Sequence, residues 1–152
     1  MSHFGLLENI RFAAGLPQQT LTELQAIGEL HTYPAGDVIF RENGECDDFF
    51  LVASGHVALD MHVAGRGQVR ILTVGPGEML GWSALFGNGQ MTATATVLEA
   101  VCTIAFPGRA LRELCDENHE LGYRIMRQAA MALSQRLLAT RLQLLDLFSA
   151  PI

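Results

Sequence analysis

The residues best placed to do chemistry lie in one stretch, Gly75-Pro-Gly-Glu-Met-Leu-Gly-Trp-Ser-Ala-Leu-Phe-Gly-Asn-Gly-Gln-Met-Thr-Ala-Thr-Ala-Thr96. Glycines flank a short apolar turn, Trp82 to Phe86, that is too brief for an ordinary helix. A helical turn opening directly after a glycine leaves its first backbone N–H groups unpaired, and such a nest can hold an anion. The same pattern also suits plain tight turns between strands. Other chemistry has less to stand on. His31, His56 and His62 are scattered without a His-x-His pair, so the paired ligands of a cupin-type metal site are not assembled. Neither a Ser-His-Asp arrangement nor a Walker-type loop is present. No catalytic residue and no metal ligand are assigned.

Bulk properties narrow the class. The 152 residues are 49% apolar and 17% charged, which suits a globular chain with a real core. No apolar run approaches a membrane span of about eighteen residues, and Met1-Ser-His-Phe4 lacks the basic start and apolar core of a signal peptide. Cys46, Cys102 and Cys115 are far apart and odd in number, which suits a reducing compartment. A cytoplasmic protein without a membrane anchor is expected. The formal net charge is −6, and all ten basic residues are arginines that form no basic stripe. Direct nucleic-acid binding is therefore not expected.

The elements that must position the central stretch follow from periodicity. Leu6 to Ala14 and Leu16 to Ile27 read as two short helices, ended by Gly15 and Gly28. Strands are then expected around the turns Pro34-Ala-Gly36, Arg41-Glu-Asn-Gly44, Ser54-Gly55 and Gly65-Arg-Gly67. Their bodies are His31 to Tyr33, Val38 to Phe40, Phe49 to Ala53, His56 to His62 and Val69 to Val74. Met91 to Val97 alternates like a strand, and Val97-Leu98 and Val101 to Phe106 continue the pattern. Ten of the fifteen glycines fall between Gly36 and Gly89. The fold class expected is α+β, mainly β: an eight-stranded β-roll or jelly roll with short N-terminal helices and a long C-terminal helix.

A helix starting after Pro107 carries Leu111, Leu114 and Cys115, and Asp116-Glu-Asn118 breaks it. From Glu120 to about Phe148 one helix runs without proline, roughly 43 Å long at 1.5 Å per residue. Met126, Ala130, Leu133, Leu137, Leu144 and Leu147 keep a coiled-coil-like spacing along it, with Thr140 the polar interruption. Left bare, its distal leucines would be an aggregation hazard. The expected cover is a second copy, with two long helices side by side in a parallel seam; folding back on the roll is the other solution. The chain divides into a roll with its N-terminal helices, 1–118, and the long dimerisation helix, 119–152, as one domain overall.

This order of elements resembles the cyclic-nucleotide-binding domain of the Crp/Fnr-like regulators. Tyr33-Pro-Ala-Gly-Asp-Val-Ile-Phe40, Phe49-Phe-Leu-Val-Ala-Ser-Gly-His-Val-Ala-Leu59 and Gly77-Glu-Met-Leu-Gly-Trp-Ser-Ala-Leu85 carry the resemblance. The third falls where the family has its phosphate-binding cassette, roughly Gly-Glu-Leu-Ala-Leu and, after a loop, Arg-Ser/Thr-Ala. There the resemblance implies N–H groups and an arginine on the cyclic phosphate and a glutamate on the ribose. Residue by residue, Gly81 stands at the glycine and Trp82 at the glutamate. Ser83, Ala84 and Leu85 continue the helix, and Met91, Thr92 and Ala93 follow at the arginine and its neighbours. Both charged contacts are replaced. A hydrogen bond to a charged group contributes about 1.5–3 kcal/mol, so ordinary cyclic AMP binding is not expected.

The family's long helix brings polar groups to the purine, and the matching positions here are Arg136 and Leu137. Arg136 could pair an anion or stack on a ring. No cofactor is assigned; the resemblance implies a cyclic nucleotide, whereas Trp82 and Met91 would make the pocket more apolar and suit a less charged or partly aromatic molecule. The family's transcription factors carry a helix-turn-helix after the long helix, whereas this sequence reaches Ser149-Ala-Pro-Ile152. The expected protein is a non-enzymatic, dimeric sensory module acting through a regulatory protein partner. The alternative is a structural or docking protein with a vestigial pocket plugged by Trp82 and Met91.

Overall fold

The computed structural model describes residues 15–148, and the helix expected over Leu6 to Ala14 lies outside the described residues. Helix α1 (Gln18–Ile27) leads into β1 (Glu29–Tyr33) and β2 (Val38–Phe40). There follow β3 (Asp48–Val63), β4 (Gly67–Val74), β5 (Met79–Leu80), the short helix α2 (Trp82–Phe86) and β6 (Thr94–Pro107). Helices α3 (Gly108–Glu117) and α4 (His119–Phe148) complete the order. All strands pair antiparallel in one curved sheet ordered β1-β6-β3-β4, with β2 also on β6 and β5 on β3. The mainly β roll with a long last helix is the architecture its periodicity requires.

The strand count is six among the described residues, not eight, and the reason is local. Phe49 to Ala53 and His56 to His62 are one continuous strand, because Ser54-Gly55 bends the chain without ending its ladder. Pairing with β6 slips in register between Val52 and Val57, the signature of bulges that curve a strand. Gly55 makes this bend with φ +86°, and a Cβ there would stand 2.3 Å from the Ala100 carbonyl oxygen. Val97-Leu98 and Val101 to Phe106 likewise fuse into β6. Met91 precedes that strand, held by Met91 N–H on Gly44 O at 2.8 Å and Asn43 N–H on Met91 O at 2.7 Å.

Where Phe49 to Val52 of β3 pair with Thr103 to Phe106 of β6 the ladder is buried on both faces, so these segments read as near-continuous apolar runs. Alternate residues serve two cores. Phe50, Val52, Val57, Ala95, Val97 and Ala105 face the inside of the roll. Phe49, Leu51, Ile104 and Phe106 face outward, against Leu24 of α1, Leu111 and Leu114 of α3, and Leu121 and Ile125 of α4. Trp82 belongs to this outer core. It is 7% exposed, its ring centroid lies 4.7 Å from Phe49, and it stacks on Phe86 at 5.9 Å.

Asn118 ends α3 and starts α4. Its Oδ1 accepts from Leu121 N–H at 3.2 Å, and its Nδ2 donates to Thr20 Oγ1 of α1 at 2.9 Å. Along α4 the buried positions Leu121, Ile125 and Ala129 give way to the half-buried Ala132, Arg136, Thr140 and Gln143. That spacing is one helical face. It lies back on the roll as far as Gln143, whose Nε2 donates to Arg70 O of β4 at 3.1 Å. Of the seam positions, Met126, Leu133, Leu137 and Leu144 are 41–63% exposed and Ala130 is exposed as well, on the other side of the helix. The Leu147 side chain lies outside those described.

Two changes test this packing. Gly55→Ala adds a Cβ into the Ala100 carbonyl at a left-handed φ and is expected to cost about 2–3 kcal/mol, read as a lower urea midpoint with unchanged slope. Trp82→Ala empties an outer-core site and is expected to cost about 3–5 kcal/mol by the same measurement; a loss below about 1 kcal/mol would show that the indole does not support the fold.

Candidate ligand pocket

Helix α2 is set by glycine geometry at its entrance. Gly81 adopts φ 81°, ψ 34°, and a Cβ there would approach Asp48 O to 2.8 Å. Its carbonyl accepts Ala84 N–H at 3.0 Å, while Ser83 O receives Gly87 and Gly89 N–H at 3.0 and 3.1 Å. The preceding turn is closed by Glu78, whose Oε1 accepts Gly75 N–H at 2.9 Å. At the far end Arg112 of α3 donates from Nη1 to Ala84 O at 2.7 Å and Leu85 O at 3.2 Å. The cation sits where a helix leaves its last carbonyls unsatisfied. The short helix is thus fixed at both ends.

Its first turn borders a cavity of about 660 Å³ between the roll's interior and α4. Gly81, Trp82, Ser83, Met91, Thr92, Ala93 and Arg136 all line it. Ala84, Leu85 and Leu137 do not. In a single helical turn only the opening residues reach the cavity, and the side chains of Ala84 and Leu85 enter the inner and outer cores respectively. Leu137 lies about 100° around the helix from Arg136 and is 63% exposed. Trp82 contributes to the wall while its ring belongs to the outer core, so it does not plug the space. Met91 is 2% exposed and joins the inner core with Phe40 and Phe50. Neither residue supplies charge.

The charge in the wall comes from α4. Arg136 Nη2 donates to Thr92 Oγ1, at the loop position next to Met91. Burial lowers the Arg136 pKa from its ordinary value, as expected for a cation withdrawn from water. Among the described residues no carboxylate lies within ion-pair distance of it. Sequence reasoning missed the rest of this wall: Gln128, Met131, Ala132 and Gln135 also line the cavity. Stepping back from Arg136 by four and eight residues, the helical repeat, reaches Ala132 and Gln128. That signal was available. Glu78 and the roll residues Phe40, Leu59, Leu72 and Leu80 are among the rest of the lining.

The histidines lie apart: His31 pairs with Glu29 at 3.6 Å, His56 contacts Glu99, and the His62 N–H donates to Glu42 at 2.8 Å. No group of three His, Cys, Asp or Glu among the described residues is placed to hold a metal. The three cysteines are free, and burial, helped by Asp116, pushes the Cys115 thiol up to about 11. No helix among the described residues is long and apolar enough to cross a membrane.

Comparison with known proteins agrees with this architecture. A CRP-like cAMP-activated global transcriptional regulator of Mycobacterium tuberculosis is 29% identical over 116 residues, covering 76% of this chain and 50% of its own length. The chain therefore spans about half the length of that relative. A Geobacter metallireducens chain, provisionally named a cyclic nucleotide-binding protein, superposes with a TM-score of 0.74 at 31% identity, covering 90% of this chain and 99% of that one. The N-terminal domain of a Streptomyces coelicolor transcriptional regulator gives 0.68 at 27% identity, covering 89% and 94%. The family model described as Cyclic nucleotide-binding domain matches residues 30–118, from β1 through the cassette position to the end of α3. With more than half of its length matched in this way, the chain belongs to the cyclic nucleotide-binding domain family, in its Crp/Fnr-like form.

Proposed function

We propose that the protein is a non-enzymatic sensory module, dimeric through α4, whose pocket is altered so that it does not take cyclic AMP in the ordinary way. One observation carries this reading. The cavity stays open at about 660 Å³ while the positions that resemble the family's glutamate and arginine, Trp82 and Met91, are given to the two cores. A pocket plugged by its own side chains would be closed, so the open space favours a ligand over a vestige. The lining is mixed: Phe40, Leu59, Leu72, Leu80 and Met91 stand beside the polar side chains of Glu78, Ser83, Thr92, Gln128, Gln135 and Arg136, which suits an occupant with an aromatic part and a polar one. A signal would leave through α4, which walls the cavity on one side and bears exposed leucines on the other. A regulatory protein partner would receive it.

Titration calorimetry against cyclic AMP, cyclic GMP and cyclic dinucleotides is expected to give no micromolar heat with cyclic AMP. A micromolar Kd for cyclic AMP would refute the altered pocket. For the dimer, light scattering at tens of micromolar is expected to give twice the 16.6 kDa chain mass. Leu137→Glu, at an exposed seam position, is expected to return the monomer with little change in Tm. A monomeric unmodified chain at that concentration would rule the seam out.

A further inference from the structure

The cavity has no cation at Met91, the position that resembles the family's arginine, and has one on α4. Arg136 is the one arginine lining it among the described residues. Other arginines are committed elsewhere: Arg70 to Asp60, Arg109 to Glu113, Arg124 to Glu120, and Arg112 to the α2 carbonyls. Among the described residues the Arg136 guanidinium meets only the neutral Thr92 hydroxyl. A long side chain on a helix surface ordinarily snorkels its charge into water. Here it is half-buried instead, with five donors and no anion to receive them. Bracing α4 to the roll would not need this, since a neutral amide could bond Thr92 without the desolvation a guanidinium suffers.

We propose that Arg136, with Thr92 bonded to it and Ser83 elsewhere in the lining, is the anion anchor of the cavity, and that the occupant is a singly charged oxyanion carried on an apolar body. The inference rests on the reading of the cavity as a ligand pocket. A planar guanidinium takes a phosphodiester, sulfonate or carboxylate through paired N–H donors, so these share one chemistry. Among the described residues Arg136 is the one cation in the lining, and the carboxylate there, Glu78, is exposed and accepts the Gly75 N–H. The count is therefore one negative charge on the occupant, because a second would be buried without compensation. The apolar part of the lining, Phe40, Leu59, Leu72, Leu80 and Met91, takes the rest of the molecule. The anchor sits on α4, so a bound anion would bridge the helix to the cassette loop.

Two dyes with the same aromatic body test this in the intact chain: anilinonaphthalene sulfonate, a monoanion, and uncharged phenylnaphthylamine. The unmodified protein is expected to bind the sulfonate about tenfold or more tightly than the neutral dye. Arg136→Gln is expected to abolish that preference. Arg141→Gln, the same charge loss at an exposed site on the same helix, is expected to keep it. Retention of the preference in Arg136→Gln, or an equal loss in Arg141→Gln, would overturn the anchor and leave the pocket standing. Binding of neither dye by the unmodified protein would overturn anchor and pocket together. The Tm separates a brace from an anchor: Arg136→Gln is expected to melt at or above the unmodified protein. A fall of more than about 5 °C, or failure to fold, would mark a structural brace and sink the proposal.

Discussion

Everything in this molecule hangs on the pairing of β3 with β6. Phe49 opposite Phe106 and Leu51 opposite Ile104 present one set of side chains to the helices. The residues between them present another set to the interior of the roll. Where Phe49 to Val52 pair with Thr103 to Phe106 both faces are buried, so the backbone groups there must find their partners in the ladder. The bulges around Ser54 to Val57 are the departure from that ladder, and they bend β3. Cassette, cavity wall and helical layer are all consequences of how that one ladder bends.

Much of this was legible beforehand because the constraints are local. Glycines at left-handed turns, alternating apolar residues and a long leucine-rich helix each have a short-range cause, and they located the roll, α2 and α4. The bend at Gly55 was harder. A glycine that ends a strand and one that bends it look alike in sequence, since both exploit φ > 0. Only cross-strand pairing, a nonlocal property, separates them. The clamp of Arg112 on α2 had no sequence signal, because its partners are backbone carbonyls 27 and 28 residues away.

The site was half legible for the same reason. Which residues stand at the cassette position follows from the resemblance to the Crp/Fnr-like family. Which way each side chain turns could not. Trp82 and Met91 look like pocket-fillers on the page, yet hydrophobic burial draws the indole outward to Phe49 and the thioether inward beside Phe50. Arg136 and Leu137 are neighbours in sequence and occupy different environments, because a helix turns about 100° between them. Their separation gives α4 two faces, one bordering the cavity and one bare.

Asn118 has a mechanical meaning as well as a capping one. Its side chain ties the first turn of α4 to Thr20 of α1, while its backbone N–H is held by Leu114 O at 2.9 Å. A swing of α4 about this residue would have to break the Leu121 cap or pull the Thr20 bond. The root of the long helix is therefore pinned to the N-terminal helical layer, and its free travel grows with distance from that pivot. Gln143, near the far end, rests on β4 by a single amide hydrogen bond. The helix is a lever with a stiff fulcrum and a lightly latched tip.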